Sequence, residues 1–85
     1  MRVYFTPDFS RKVEIQTKRD QNVSKMLIEY LKTHDRGEIR SQPKVFLHST
    51  NQPNLYILEF YELRFFVSFH TDERGEYMIM VDIEK

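Results

Sequence analysis

Between Leu55 and Ile83 the chain runs LYILEFYE, LRFFVSFH and YMIMVDI with almost no polar interruption, and this block constrains the fold more than any other stretch. Short runs of Tyr, Phe, Ile and Val separated by charged breaks are what a pleated, half-buried surface selects. The sixteen residues from Leu55 to His70 contain no Gly, Pro or Asn, whereas a single strand usually spans about five or six. A turn must therefore lie within them, and the charges Glu59, Glu62 and Arg64 put it at Tyr61-Glu62. Thr71 to Glu76 reads as a hairpin loop in which Gly75 can take a positive φ, and Tyr77 to Ile83 as the final strand.

Upstream, Arg2 to Thr6 alternates around Val3 and Phe5 and predicts a short first strand that ends at Pro7, which has no amide proton for a ladder. Two readings then compete. Thr6-Pro7-Asp8 can open a helix, with Thr6 as N-cap and Pro7 at the first helical position, while Lys12 to Thr17 alternates Val13, Ile15 and Thr17 as a strand would. The start signal favours the helix, since no tight-turn dipeptide precedes the strand alternative. Asn22 to His34 carries Val23, Met26, Leu27, Tyr30, Leu31 and His34 at spacings of three and four, which predicts a helix capped by Asn22 or Ser24 and closed by a left-handed Gly37. Glu38 to Lys44 reads as a polar connection, Val45 and Leu47 as an edge strand, and Ser49 to Asn54 as a loop. The expected fold is α+β in a single domain over residues 1–85: an N-terminal strand, one or two helices, then an antiparallel three- to four-stranded meander packed on them.

An 85-residue chain supports one hydrophobic core, and seven Phe with five Tyr supply much of its apolar area. With no cysteine, disulfides, thiolate catalysis and cysteine-bound zinc are excluded. MRVYFTPDF lacks the apolar run of a signal peptide, and no segment reaches the roughly 18 apolar residues that cross a bilayer, so a soluble cytoplasmic protein without membrane contact is expected. Thirteen basic and thirteen acidic residues cancel, but residues 1–50 carry ten Lys/Arg against six Asp/Glu and residues 51–85 three against seven. Such asymmetry can orient a partner, while net neutrality points away from a domain that grips nucleic acid by charge alone.

Period two divides the strand from Leu63 to His70. Leu63, Phe65, Val67 and Phe69 face the helices, and Arg64, Phe66, Ser68 and His70 face the other way. A guanidinium suited to phosphate, a ring that can stack a base, a hydroxyl and an imidazole that titrates near neutrality thus share one face. The structural alternative is that Arg64 pairs with Glu59 or Glu62 and Phe66 packs a small cluster. His34, at a helix C-terminus, reads as structural and His48 as solvated. Met78 and Met80 share a face with Asp82 by simple alternation. The histidines at 34, 48 and 70 have no metal-ligand spacing, and no phosphate loop or nucleophile elbow is present, so neither metal nor cofactor is expected.

The order strand, helix, helix, meander, with Leu55-Tyr56 opening the meander and Glu62-Leu63-Arg64 following, resembles the RelE/ParE superfamily of bacterial toxins. The resemblance implies a toxin-antitoxin system: a protein that inhibits translation by mRNA cleavage or otherwise blocks growth, with an antitoxin as partner and ribosome or mRNA as target. It gives Arg64 the contact to the phosphate at the cut; if RNA is cleaved, the chemistry itself calls for a base and a charge stabiliser, roles that suit His70 or Glu62 and Arg64, with Lys44 as a second cation and Phe66 and Ser68 as binding residues. The ribonuclease members carry basic residues in the first meander strand, where Tyr56 to Tyr61 here holds Glu59 and no base. The other reading is a non-catalytic protein-protein interaction module or a homodimer, paired through the edge of the final strand.

Overall fold

A computed structural model describes residues 1–85. Strand β1 (Arg2–Phe5) leads into helix α1 (Pro7–Glu14), helix α2 (Lys18–Thr33) and helix α3 (Arg36–Arg40). Strands β2 (Phe46–Ser49), β3 (Leu55–Phe60), β4 (Leu63–Asp72) and β5 (Gly75–Glu84) follow. They form one five-stranded sheet in the order β1-β5-β4-β3-β2. The four-stranded meander is antiparallel, as expected, but β1 joins β5 in parallel, so the sheet is mixed. The helices carry the chain from β1 to β2 at the far edge, and the meander then leads back to β5, a long connection of the kind a parallel pair demands. The final strand is consequently internal where β1 pairs with Tyr77–Met80, and the outer strands of the sheet are β1 and β2.

Thr6 explains why residues 7–14 are helical and not extended. Its Oγ1 accepts the Phe9 N–H at 3.1 Å as an N-cap and donates to the Val81 carbonyl at 2.7 Å, while its backbone N–H reaches the Met80 carbonyl. A cap of this kind is worth about 1 kcal/mol. The alternation at Lys12 to Thr17 was misleading: α1 ends at Ile15, and Thr17 caps α2 by accepting from the Asp20 N–H. Helix α2 therefore begins four residues before Asn22. Ser24 is no cap but a buried hydroxyl that donates to Gln16 Oε1 at 3.0 Å. The helix closes at His34 without a left-handed glycine, and the Met1 amine donates to the carbonyls of Leu31, Lys32 and His34 there. Gly37 lies inside α3, the one element that went unexpected, which a reciprocal Asp35/Glu38 capping box nucleates.

Both predicted turns are present. Phe60 pairs with Leu63 across Tyr61 and Glu62, whose φ values of 49° and 70° are the left-handed pair that a type I′ turn requires. The second hairpin is tighter than expected, since Asp72 pairs with Gly75, whose φ is 103°. A bulge between Phe66 and Val67 pairs them with Asp82 and Met80 and leaves Val81 unmatched. It shifts the phase of β5, so that Met78, Met80 and Ile83 all point into the core while Asp82 does not share their face. All three helices lie on one side, where Phe9, Leu27, Leu31 and Ile39 meet Leu58, Phe65, Val67, Met78 and Met80 in a single cluster. No helix is long and apolar enough to cross a membrane.

Candidate functional site

The opposite side of the sheet has no helix over it. Arg64, Phe66, Ser68 and His70 of β4 lie there, as alternation predicts, with Leu55, Ile57 and Glu59 of β3 on one flank and Tyr77, Ile79 and Glu84 of β5 on the other. Phe66, Ser68 and His70 are half-buried by these neighbours, and Arg64 is exposed. The row spans six residues at about 3.3 Å each, or roughly 20 Å from Arg64 to His70. These two side chains therefore cannot act on one phosphate, and the face divides into two ends.

At the Arg64 end the surroundings are acidic. Glu59 and Glu84 are its cross-strand partners, and its Nη2 stands 3.8 Å from Glu84 Oε1. The expected partner Glu59 instead lies 3.4 Å from His48 Nε2. Glu62 sits exposed in the left-handed turn. Lys44 lines, with Pro43, Phe46 and Tyr61, an open groove of about 360 Å³ beside that turn. Lys44 makes no ion pair. An anion arriving at Arg64 meets two carboxylates before any second cation.

At the other end, His70 Nε2 is 2.8 Å from Ser68 Oγ, and its ring stacks on Tyr77 at 5.1 Å between centroids. Arg2 covers the Tyr77 ring at 5.0 Å, bonds the Tyr4 hydroxyl at 3.2 Å and forks onto both oxygens of Asp72. The Arg2 hydrogen bond holds the Asp72 carboxyl below its ordinary pKa, and that same bond raises Arg2. A serine beside a histidine meets the first geometric need of a nucleophile and base. Nothing orients the far ring nitrogen, and the amides of this central strand are committed to the ladders with β3 and β5, so no oxyanion site adjoins Ser68.

Comparison with family models, with curated proteins and with solved structures finds no match for this chain.

Two further groupings were invisible to strand alternation. Arg2 and Tyr4 reach Tyr77, the ring that stacks on His70, only because β1 pairs with β5, which no local pattern announces. Arg36 packs between Tyr56 and Phe69 on the helix side, its carbon 5.1 Å and 4.4 Å from their ring centroids, and donates to the Tyr56 hydroxyl at 2.7 Å. The signal for it was the Asp35-x-x-Glu38 capping box, which sets the helix that carries the arginine. Elsewhere, burial alone would raise the Asp20 carboxyl, but hydrogen bonds from Lys85 and Arg19 outweigh it and leave the pKa lowered. Asp82 is lowered chiefly by its bond to Lys12.

Proposed function

We propose that this chain is a toxin-like protein of the RelE/ParE type that blocks growth by binding a protein target through the uncovered face of its sheet, and that an antitoxin protein neutralises it. The observation that carries the binding mode is the setting of Arg64, bracketed by Glu59 and Glu84 on the adjacent strands. Carboxylates so near cancel much of the attraction for a phosphodiester. Half-buried Phe66, Ile57 and Ile79, rimmed by Arg64 and the carboxylates of Glu59, Asp82 and Glu84, suit a protein partner, whose interfaces combine an apolar centre with a polar rim. The toxin half rests on the resemblance carried by Leu55-Tyr56 and Glu62-Leu63-Arg64, although the chain places three helices before its meander where the resemblance has two.

Endoribonuclease action is the second reading, because Glu62 and Lys44 lie at the same end of the sheet as Arg64. Here Glu62 would take the proton from a 2′-hydroxyl, and His70 is too distant to share that task. Induced expression with growth and RNA integrity read together separates the two. Binding predicts arrest with intact mRNA, lost in Phe66→Asp and retained in Arg64→Ala. Fragmented mRNA that becomes whole in Arg64→Ala would replace binding with cleavage. Unimpeded growth would leave a non-catalytic interaction module, or a homodimer joined through this face or through the β1 or β2 edge.

A further inference from the structure

Arg36 is the one guanidinium in the structure that packs between aromatic rings and is joined to no carboxylate. Its Nε is buried without a hydrogen-bond partner, and its aromatic neighbours offset the cost of that only in part. The acids nearest in sequence are withheld from it by the capping box. Asp35 Oδ1 accepts from the Glu38 N–H at 2.8 Å and Glu38 Oε1 from the Asp35 N–H at 2.9 Å. Arg40, one helical turn further along α3, is exposed and also makes no ion pair.

The Tyr56 hydroxyl accepts from Arg36, and its own proton is given to no acceptor in the chain. Tyr56 borders an open depression of about 350 Å³ whose other walls are Arg40, Leu47 and Ser49. One cation, Arg40, and the hydroxyls of Tyr56 and Ser49 thus line one concavity whose walls carry no carboxylate, with Arg36 bonded to the Tyr56 hydroxyl.

We propose that this depression binds a phosphoryl group, either as free phosphate or as a small phosphate monoester. A guanidinium fork matches two phosphate oxygens, and hydroxyls from β2 and β3 approach from another direction. A tetrahedral anion with several acceptor oxygens uses all of these donors, whereas a planar carboxylate uses fewer. Arg36, held by stacking on Tyr56 and Phe69, occupies the Tyr56 hydroxyl as an acceptor and leaves that hydroxyl's proton for the anion, which lowers the ordering cost of binding. This site lies on the helix side of the sheet and is independent of the uncovered face.

The test is an NMR titration of the full chain with inorganic phosphate, with glycerol phosphate and with acetate at constant ionic strength. It follows the arginine Nε–H signals and the backbone amides of Arg40, Ser41 and Ser49. Saturable shifts with phosphate or the monoester, tighter than with acetate, are expected, and the relative affinity of the first two identifies the source. Arg40→Gln alters an exposed side chain and should weaken binding about tenfold, the order expected for losing one charged hydrogen bond. Arg36→Lys keeps the charge, loses the stacked guanidinium that orients the Tyr56 hydroxyl and should weaken it as well. Shifts that grow linearly without saturation, equal affinity for acetate, or undiminished binding in Arg40→Gln would each overturn the proposal.

Discussion

Strand β4 presents two faces built from alternate residues of one segment, and they have opposite physical characters. Leu63, Phe65, Val67 and Phe69 are all buried, Phe65 and Val67 completely, beneath α1 and α2. Arg64, Phe66, Ser68 and His70, each one residue away, keep contact with solvent and divide into an acidic end and an aromatic, arginine-covered end. The inner face holds the fold together, and the outer face is free to be shaped by recognition. A substitution should therefore act through stability on one side and through binding on the other.

The sharpest way to break that contrast is a pair of adjacent truncations. Phe65→Ala should cost about 3–5 kcal/mol in urea unfolding, the usual range for a buried phenylalanine, while Phe66→Ala should cost about 1 kcal/mol. Equal losses would mean that the outer face is as tightly packed as the inner one.

Acid sharpens the comparison through Asp20 and Asp72. Both have lowered pKa values in the folded chain, so the folded state binds fewer protons than the unfolded one. Their stabilisation is present above the ordinary aspartate value and is lost as pH falls below about 4, through the lowered folded values. Asp20 is 6% exposed at its side chain and Asp72 41%. Asp20→Asn should therefore flatten the acid limb of a stability-against-pH curve more than Asp72→Asn does, and added salt should diminish only the Asp72 contribution appreciably.

Smaller effects belong to the turn and the outer surface. Glu62→Gly removes a side chain from a left-handed position with φ of 70° and should raise the urea midpoint, corresponding to about 0.5–1 kcal/mol. Arg64→Ala should change stability by less than about 0.5 kcal/mol, because its 3.8 Å contact with Glu84 joins two exposed groups. A larger loss would make Arg64 a structural residue of the sheet.

Much of the scaffold was legible because its causes are local. Thr6-Pro7 announces α1, the Leu27/Leu31 spacing announces the buried stripe of α2, and the length of Leu55 to His70 requires the turn found at Tyr61-Glu62. The misses also have particular causes. Val13, Ile15 and Thr17 alternate, but Thr17 is spent as a helix cap and Ile15 is exposed. Met78, Met80 and Asp82 appear to share a face until the bulge at Val81 separates them. The candidate row was placed on its face correctly, yet its length of about 20 Å keeps His70 from assisting Arg64.

By itself the sequence determined the α+β class, the meander and the division of β4 into two faces, because periodicity and turn chemistry act over a few residues. Only the tertiary structure decided that β1 pairs in parallel with β5, that β5 is internal, that Glu59 and Glu84 flank Arg64, and that Arg36 stacks on Tyr56 and Phe69. Such neighbours are chosen by the packing of one shared core, and residues as distant as Val3 and Met78 leave no mark on each other's local pattern.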